Sequence, residues 1–418
     1  MTTTDDSLLD DGYDPFEAFD RAMGAGSVRD PFPAFAEFRS RGPVQRADIR
    51  QVMGVSPDVE VPDDLEAFTA VGYDAVMQVL RDGETFSSSG YAASMGELLG
   101  HSILEMDEPE HHRYRGLVQQ VFTRKAMERW EADIVRPVVN AFIDAFEGSR
   151  RAGTGRADLV RGLTFPFPVH VIARMLGLPE QDVDTFHGRA VAMTNAIDWD
   201  RALAASAWMH DYFVDILEVR RRQPGDDIVS VLAAAELDGH RLEDDDIFAF
   251  LRLLLPAGAE TTYRSSSNLF FGLLSNPDML DAVREDRTLV PQAIEEGLRW
   301  EPPLTGIVRL CLRETEVCGV PIPAGAVMHV NVASANHDEA RWENGERFDL
   351  WRRPAQHMAF AFGPHMCLGM HLARMETAVA LNAVLDRLPN LRLDPGAEDT
   401  HIAGLLFRAP RALPVVFD

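Results

Sequence analysis

His357-Met358-Ala359-Phe360-Ala361-Phe362-Gly363-Pro364-His365-Met366-Cys367-Leu368-Gly369 is a loop broken by glycine and proline that hands over to a helical stretch, Met370-His371-Leu372-Ala373-Arg374-Met375-Glu376. A lone cysteine therefore stands where a helix begins. Backbone N–H groups at a helix start, with the positive end of the helix dipole, lower a thiol's pKa and favour a permanent thiolate. Phe360 and Phe362 are expected to keep water off the sulfur. Gly363 is expected to let the backbone pass close to something flat and bulky.

Three readings of this loop compete. Cysteine is among the most buried residue types, so Cys367 can be a packing residue. A zinc site built from His365, Cys367 and His371 is opposed by the absence of paired cysteines at finger-like spacing. A single thiolate offered from a helix start suits one axial bond to a haem iron. On the loop alone, packing and iron ligation both stay open.

The chain has 418 residues, 46% hydrophobic and 25% charged, the composition of a globular protein able to bury a sizeable core. Residues 1–25 read as an acidic tail. No Ser/Gly-rich linker or internal repeat divides the rest, so residues 26–418 are expected to form a single domain. A formal charge of −26 argues against nucleic acid and against anionic membrane surfaces as partners. The first residues carry neither a basic nor an apolar leader, and no apolar run approaches the ~20 residues of a membrane span, so a cytoplasmic location is expected. Cys311, Cys318 and Cys367 form no disulfide framework, which agrees with a reducing compartment.

Apolar spacing predicts helices over residues 33–41, 73–81, 125–147, 165–176, 181–194, 201–222 and 291–300. Two separate small β elements are expected, one from Val44 to Val71 and one from Arg309 to Val330. The Ser87–Gly96 stretch has no sustained period and is predicted to be a long binding loop running to Ile103. A helix starting near Met106 places His111 and Arg115 four apart on one face. They are either a clamp for a carboxylate or phosphate, or a solvated basic surface.

Leu242 to Ser275 is the longest helical run, about 34 residues and roughly 50 Å long, and apolar enough to cross the core. Its middle, Pro256-Ala257-Gly258-Ala259-Glu260-Thr261-Thr262, is poor helix material. Proline removes a donor at a cost of ~3 kcal/mol, and Thr261 can bond back to the Ala257 carbonyl. Either a groove opens in one central helix or Pro256 ends one helix and a second begins. Glu260 beside Thr261 supplies the acid and alcohol a proton relay uses. Glu296 and Arg299, three apart on the 291–300 helix, can pair.

Taken in order, these motifs give the chain, from about Asp30 to its end, a resemblance to the cytochrome P450 family, soluble haem-thiolate monooxygenases of the bacterial type. The resemblance implies a mainly α fold with small β-sheets (α+β), one long helix crossing over a haem b. It implies that Cys367 is the axial ligand and that His111, Arg115, Arg309 and His365 hold the propionates, with Phe360 and Gly363 shaping the cysteine loop. Glu260 and Thr261 match the proton-delivering acid and alcohol. Glu296, Arg299 and Arg347 match a structural ion network. Ala361 departs from the family, which usually has glycine there, and Pro256 is unusual. The implied reaction uses O2 and two electrons. These come from a separate ferredoxin and an NAD(P)H-dependent ferredoxin reductase, since the chain has no dinucleotide fingerprint. Arg113, Arg124, Lys125 and Arg374 are the expected docking charges on a monomer. Tyr91, Met95, Leu253, Pro256, Ala257, Thr305, Ile307, Leu405 and Leu406 are expected to line a pocket for a medium-sized hydrophobic molecule. Two other functions fit the same cofactor: a peroxide-driven peroxygenase, which would not need the acid–alcohol relay, and a non-catalytic haem sensor.

Overall fold

In the computed structural model, the described residues are 20, 28–49, 53–54, 66–151, 153, 155–194 and 198–418. The acidic tail therefore lies outside them apart from Asp20, as do Pro57 and Pro62. The fold is mainly helical, with small sheets at its margins. No described helix is long and apolar enough to cross a membrane.

The sheet that matters for the site has five strands: β1 (Val44–Gln45), β2 (Ala67–Ala70), β3 (Phe86–Ser87), β4 (Gly306–Cys311) and β5 (Val327–Asn331), in the order β1-β2-β5-β4-β3. β5 runs parallel to β2, Val327 opposite Ala67, and antiparallel to β4, Met328 opposite Arg309. The two β elements expected to be separate are thus one sheet. Only the hairpin of Thr315–Val317 with Val320–Ile322 stands apart within the second of them. Pairing across some 260 residues is a tertiary event that local alternation of polar and apolar residues cannot announce.

The central run is helical without interruption from Asp244 to Leu274. An α-helix, Asp244–Leu255, passes through a π-helical turn, Pro256–Glu260, into a second α-helix, Thr261–Leu274. A capping box between Glu243 and Asp246 starts it, and Asp244, Asp245 and Asp246 complement its dipole. Pro256 keeps helical dihedrals (φ −63°, ψ −37°), so the helix absorbs the missing donor by widening one turn instead of ending. Nearly all of Thr261–Leu274 is buried, polar residues included. Several of its buried polar side chains bond to carbonyls: Asn268 Nδ2 donates to those of Glu301 and Arg408, and Ser267 Oγ to that of Tyr263, while Asn268 Oδ1 is buried without a partner.

The Ser87–Gly96 stretch is not the long loop its composition predicts. Gly90–Leu99 is a helix, ended by Gly100 at φ +82°. Glycine, alanine and serine on half of its positions hide the period, and among its described side chains Leu98 and Leu99 are the ones fully buried against the core.

Candidate active site

The cysteine loop is closed by its own backbone. Cys367 N–H donates to the Phe360 carbonyl at 2.9 Å, and Met366 N–H to that of Gly363 at 3.1 Å. Met358 N–H donates to Asn336 Oδ1, anchoring the loop's entry. Ala361 sits at φ +59° and Gly363 at φ +74°. A Cβ on Gly363 would come within 2.3 Å of the Leu80 carbonyl oxygen. Glycine at 363 is therefore required by the backbone of Leu80–Arg81 and by its own positive φ. Phe360 lies under the Arg374 guanidinium (4.5 Å), and Phe362 under that of Arg81 (5.3 Å).

Cys367 keeps accessible surface although its sulfur is largely desolvated, and Ala257 in the π-helical turn is exposed while most of the central helix is buried. Burial raises the Cys367 thiol's pKa, opposed by the Gly369 N–H and by Arg115 and Arg374. The helix start therefore does not make a permanent thiolate by itself, as the sequence suggests. Desolvation is the larger effect, and a bound cation is what such a sulfur needs to ionise.

Beside the sulfur four basic side chains converge. His111 and Arg115 project from the Glu110–Val118 helix, His365 from the loop, and Arg309 from β4. The rings of His111 and His365 are 4.0 Å apart. Arg115 Nη2 donates to the Met366 carbonyl at 2.7 Å, and His365 Nε2 meets Ser88 Oγ at 3.1 Å. His111 Nε2 is buried without a partner, and Arg309, 5% exposed, has no carboxylate at ion-pair distance among the described residues. Burial, and then the charges of His111, Arg309 and Arg115, push the His365 imidazole down to about 3. Burial likewise lowers His111, Arg115 and Arg309. A cluster that disfavours its own positive charges, with one donor left orphaned, fits a buried dianion lying across it.

In the π-helical turn, Thr261 Oγ1 donates to the Ala257 carbonyl at 2.7 Å, the back-bond its sequence position allows. Glu260 does not hang free beside it: Arg264 Nε donates to Glu260 Oε1 at 2.8 Å.

A sequence model of the cytochrome P450 family matches residues 168–401. The chain belongs to the cytochrome P450 family. It is 35% identical over 94% of its length to the cytochrome P450 monooxygenase PikC of Streptomyces venezuelae, covering 92% of that protein. It is 38% identical over 77% of its length to a steroid C26-monooxygenase of Mycobacterium tuberculosis, covering 86% of it. Among solved structures, CYP109E1 from Bacillus megaterium in complex with testosterone superposes with a TM-score of 0.82. The two share 31% identity over 93% of this chain and 99% of that one. As a cytochrome P450 the chain is a monooxygenase and binds haem b, and the cluster around Cys367 fits that group's two carboxylates.

Several expected residues take other places in this P450. Arg347 does not complete the ion network. Its side chain is exposed and, among the described residues, pairs only with Glu346, while Arg352 Nε donates to Glu296 Oε1 at 3.1 Å. The Arg347 carbonyl is its contribution, accepting from Arg299 Nη2 at 2.8 Å. Tyr91 belongs with the basic cluster, since its hydroxyl accepts from the Val308 N–H at 3.0 Å, next to Arg309. Leu405 is core, packed with Val28, Phe35 and Phe38. Thr305 is 3% exposed with its hydroxyl donated to the Leu405 carbonyl. Met95, Leu253, Pro256, Ile307 and Leu406 are partly buried. Arg374 is not a free docking charge, because Glu295 holds it at 2.6 and 2.8 Å. The signal for Arg352 was three arginines, Arg347, Arg352 and Arg353, within reach of one glutamate; spacing could not say which turns inward.

Proposed function

We propose that this chain is a ferredoxin-fed monooxygenase that hydroxylates or epoxidises a steroid-sized apolar molecule, with Cys367 ligating the haem iron. The observation that carries the assignment is the cluster of His111, Arg115, Arg309 and His365, with His111 Nε2 buried and unpartnered, beside an accessible cysteine thiol. When bound, haem supplies the reductive activation of O2 and the transfer of one oxygen atom to a C–H or C=C bond.

The chain's own residues do the rest. The four basic groups neutralise and orient the propionates. The Gly369 N–H, with Arg115 and Arg374, favours the ionised sulfur once iron is there. Thr261 offers a hydroxyl at the widened turn, and Glu260 is the acid behind it that gives up and regains a proton. Leu253, Pro256, Ala257, Ile307 and Leu406 form an apolar wall that excludes water and places the substrate. A steroid-sized ligand is supported by the steroid C26-monooxygenase relative and the testosterone-bound neighbour. On the partner face, Arg113 and Lys125 are exposed and unpaired among the described residues, and Arg124 is held only by Glu128. They form a small basic patch for an acidic ferredoxin on an otherwise acidic protein. A single-domain monomer in the cytoplasm completes the reading.

The spectrum of the reduced protein under carbon monoxide tests the core of it. A long-wavelength Soret band requires the Cys367 thiolate; a folded, haem-loaded protein without that band refutes the ligation. A spin-state shift on titrating testosterone then tests the substrate class, and product formed with ferredoxin, reductase and NADH tests the electron source.

A further inference from the structure

Arg264, three residues past Thr261, is 1% exposed and lies between two carboxylates. Its Nη2 donates to Asp20 Oδ1 at 2.8 Å, and its Nε to Glu260 Oε1 at 2.8 Å. The Asp20 side chain is 4% exposed and that of Glu260 12%. The rings of Tyr263 and Phe407 lie 4.8 and 5.6 Å from the guanidinium and keep water from it. Glu260 and Tyr263 also line a gap of about 10 Å³ with Phe165, Val169, Ala190 and Leu255, room for about one water.

Fully ionised, this cluster would bury two negative charges against one positive. An excess buried charge is expensive, and the least costly remedy is one retained proton. Burial first, and then the negative charge of Asp20, raise the Glu260 carboxyl, while Arg264 opposes both. Other ionisable groups near it are Tyr263 on the same helix and Arg161, whose charge reaches Tyr263 from the Val160–Thr164 turn. His187 lies beyond the Phe165 ring, 5.6 Å from it.

We propose that Asp20 and Glu260 share the one guanidinium of Arg264 so that the cluster holds a proton in reserve next to Thr261, making Asp20 a positioning residue for proton delivery. The inference rests on reading Glu260 and Thr261 as the relay. The Glu260 O–H breaks as its proton passes to the Thr261 hydroxyl oxygen, whose own proton moves on to the reaction. The cluster is then left with one excess negative charge, until a proton drawn from bulk solvent returns to the Glu260 carboxylate. Without Asp20, Glu260 no longer competes with a second carboxylate for Arg264 and is held as the carboxylate.

Two measurements decide this. Infrared difference spectroscopy of the haem-loaded wild type against Glu260→Gln at neutral pH is expected to show the carbonyl stretch of a protonated carboxylic acid; its absence overturns the proposal whatever the variants do. In turnover with ferredoxin, reductase and testosterone as probe, Asp20→Asn is expected to keep its haem and its carbon-monoxide band. It should release several-fold more peroxide per O2 consumed, with the alkaline limb of product formation moved to lower pH, and Asp20→Glu should restore both. Wild-type coupling and pH limb in Asp20→Asn, alongside uncoupling in Glu260→Gln, would remove Asp20 from proton delivery. Normal coupling in Glu260→Gln itself would instead sink the relay.

Discussion

Arg352 grips Glu296 Oε1 at 3.1 Å, the same oxygen that accepts the Asp349 N–H at 2.8 Å and Arg299 Nη2 at 2.7 Å. Arg299 also ties the carbonyls of Asn336, Gly345 and Arg347. The helix Val290–Trp300 is thereby fastened to the irregular segment that leads into the cysteine loop. Because the pair is buried, removing one partner strands the other, and Glu296→Ala should cost about 3–5 kcal/mol. Arg352→Ala should cost about 1.5–3 kcal/mol, a charged hydrogen bond lost at a partly buried site. Arg347→Ala should change stability by less than ~0.5 kcal/mol. Denaturant melts of the three haem-loaded variants would show this ranking, and equal losses for Arg347 and Arg352 would contradict it.

The two left-handed residues of the cysteine loop respond oppositely to exchange. Ala361 at φ +59° has a Cβ in a conformation that suits glycine, so Ala361→Gly should stabilise the protein by about 1 kcal/mol. Gly363→Ala would drive a methyl into the Leu80 carbonyl and should lower both stability and haem content. Thermal melts with haem stoichiometry check both.

Acid should weaken the fold before it reaches the carboxylates. Burial and the neighbouring His170 push the His187 imidazole from 6.5 down to about 4, and burial with Arg299 pushes His337 down to about 3. Unfolded, both bind protons near 6.5, so the unfolded state gains protons first as pH falls. Their stabilisation is complete above pH 6.5 and is lost on the way down to 4 and 3, at up to roughly 1.4 kcal/mol per pH unit for each group. His187→Phe should flatten the fall between pH 6.5 and 4 in urea midpoints; an unchanged slope would exclude His187 as a source.

On the partner face, Arg113→Glu with Lys125→Glu should raise the ferredoxin concentration for half-maximal turnover by about tenfold, from two exposed pairs worth up to ~1 kcal/mol each. Salt sensitivity should fall, and kcat should stay. Arg374→Ala should act differently, because Arg374 holds Glu295 and covers Phe360. Its effect belongs in the carbon-monoxide band or haem retention and not in the ferredoxin titration.

Thr261→Ala removes the hydroxyl bonded to the Ala257 carbonyl and leaves Glu260 on Arg264. Oxygen consumption should continue while product per O2 falls. Undiminished coupling would remove the Thr261 hydroxyl from proton delivery.

The sequence by itself determined most of the longer helices, the placement of Cys367 at a helix start, and the distortion at Pro256, because each depends on residues within a turn or two of one another. His111 with Arg115 and Glu296 with Arg299 were legible for the same reason. What only the tertiary structure decided depends on partners distant in the chain. The two β elements became one sheet through the Val327–Ala67 register. Arg352 displaced Arg347 because of which carbonyls and carboxylate the folded segment presents. Gly90–Leu99 became a helix by docking Leu98 and Leu99. Leu405 turned into core instead of pocket. The charge state of Cys367 also waited on the fold: a local motif supplies helix-end donors, but the larger desolvation comes from everything packed around the sulfur. Burial is a property of the whole chain, and a dozen residues cannot report it.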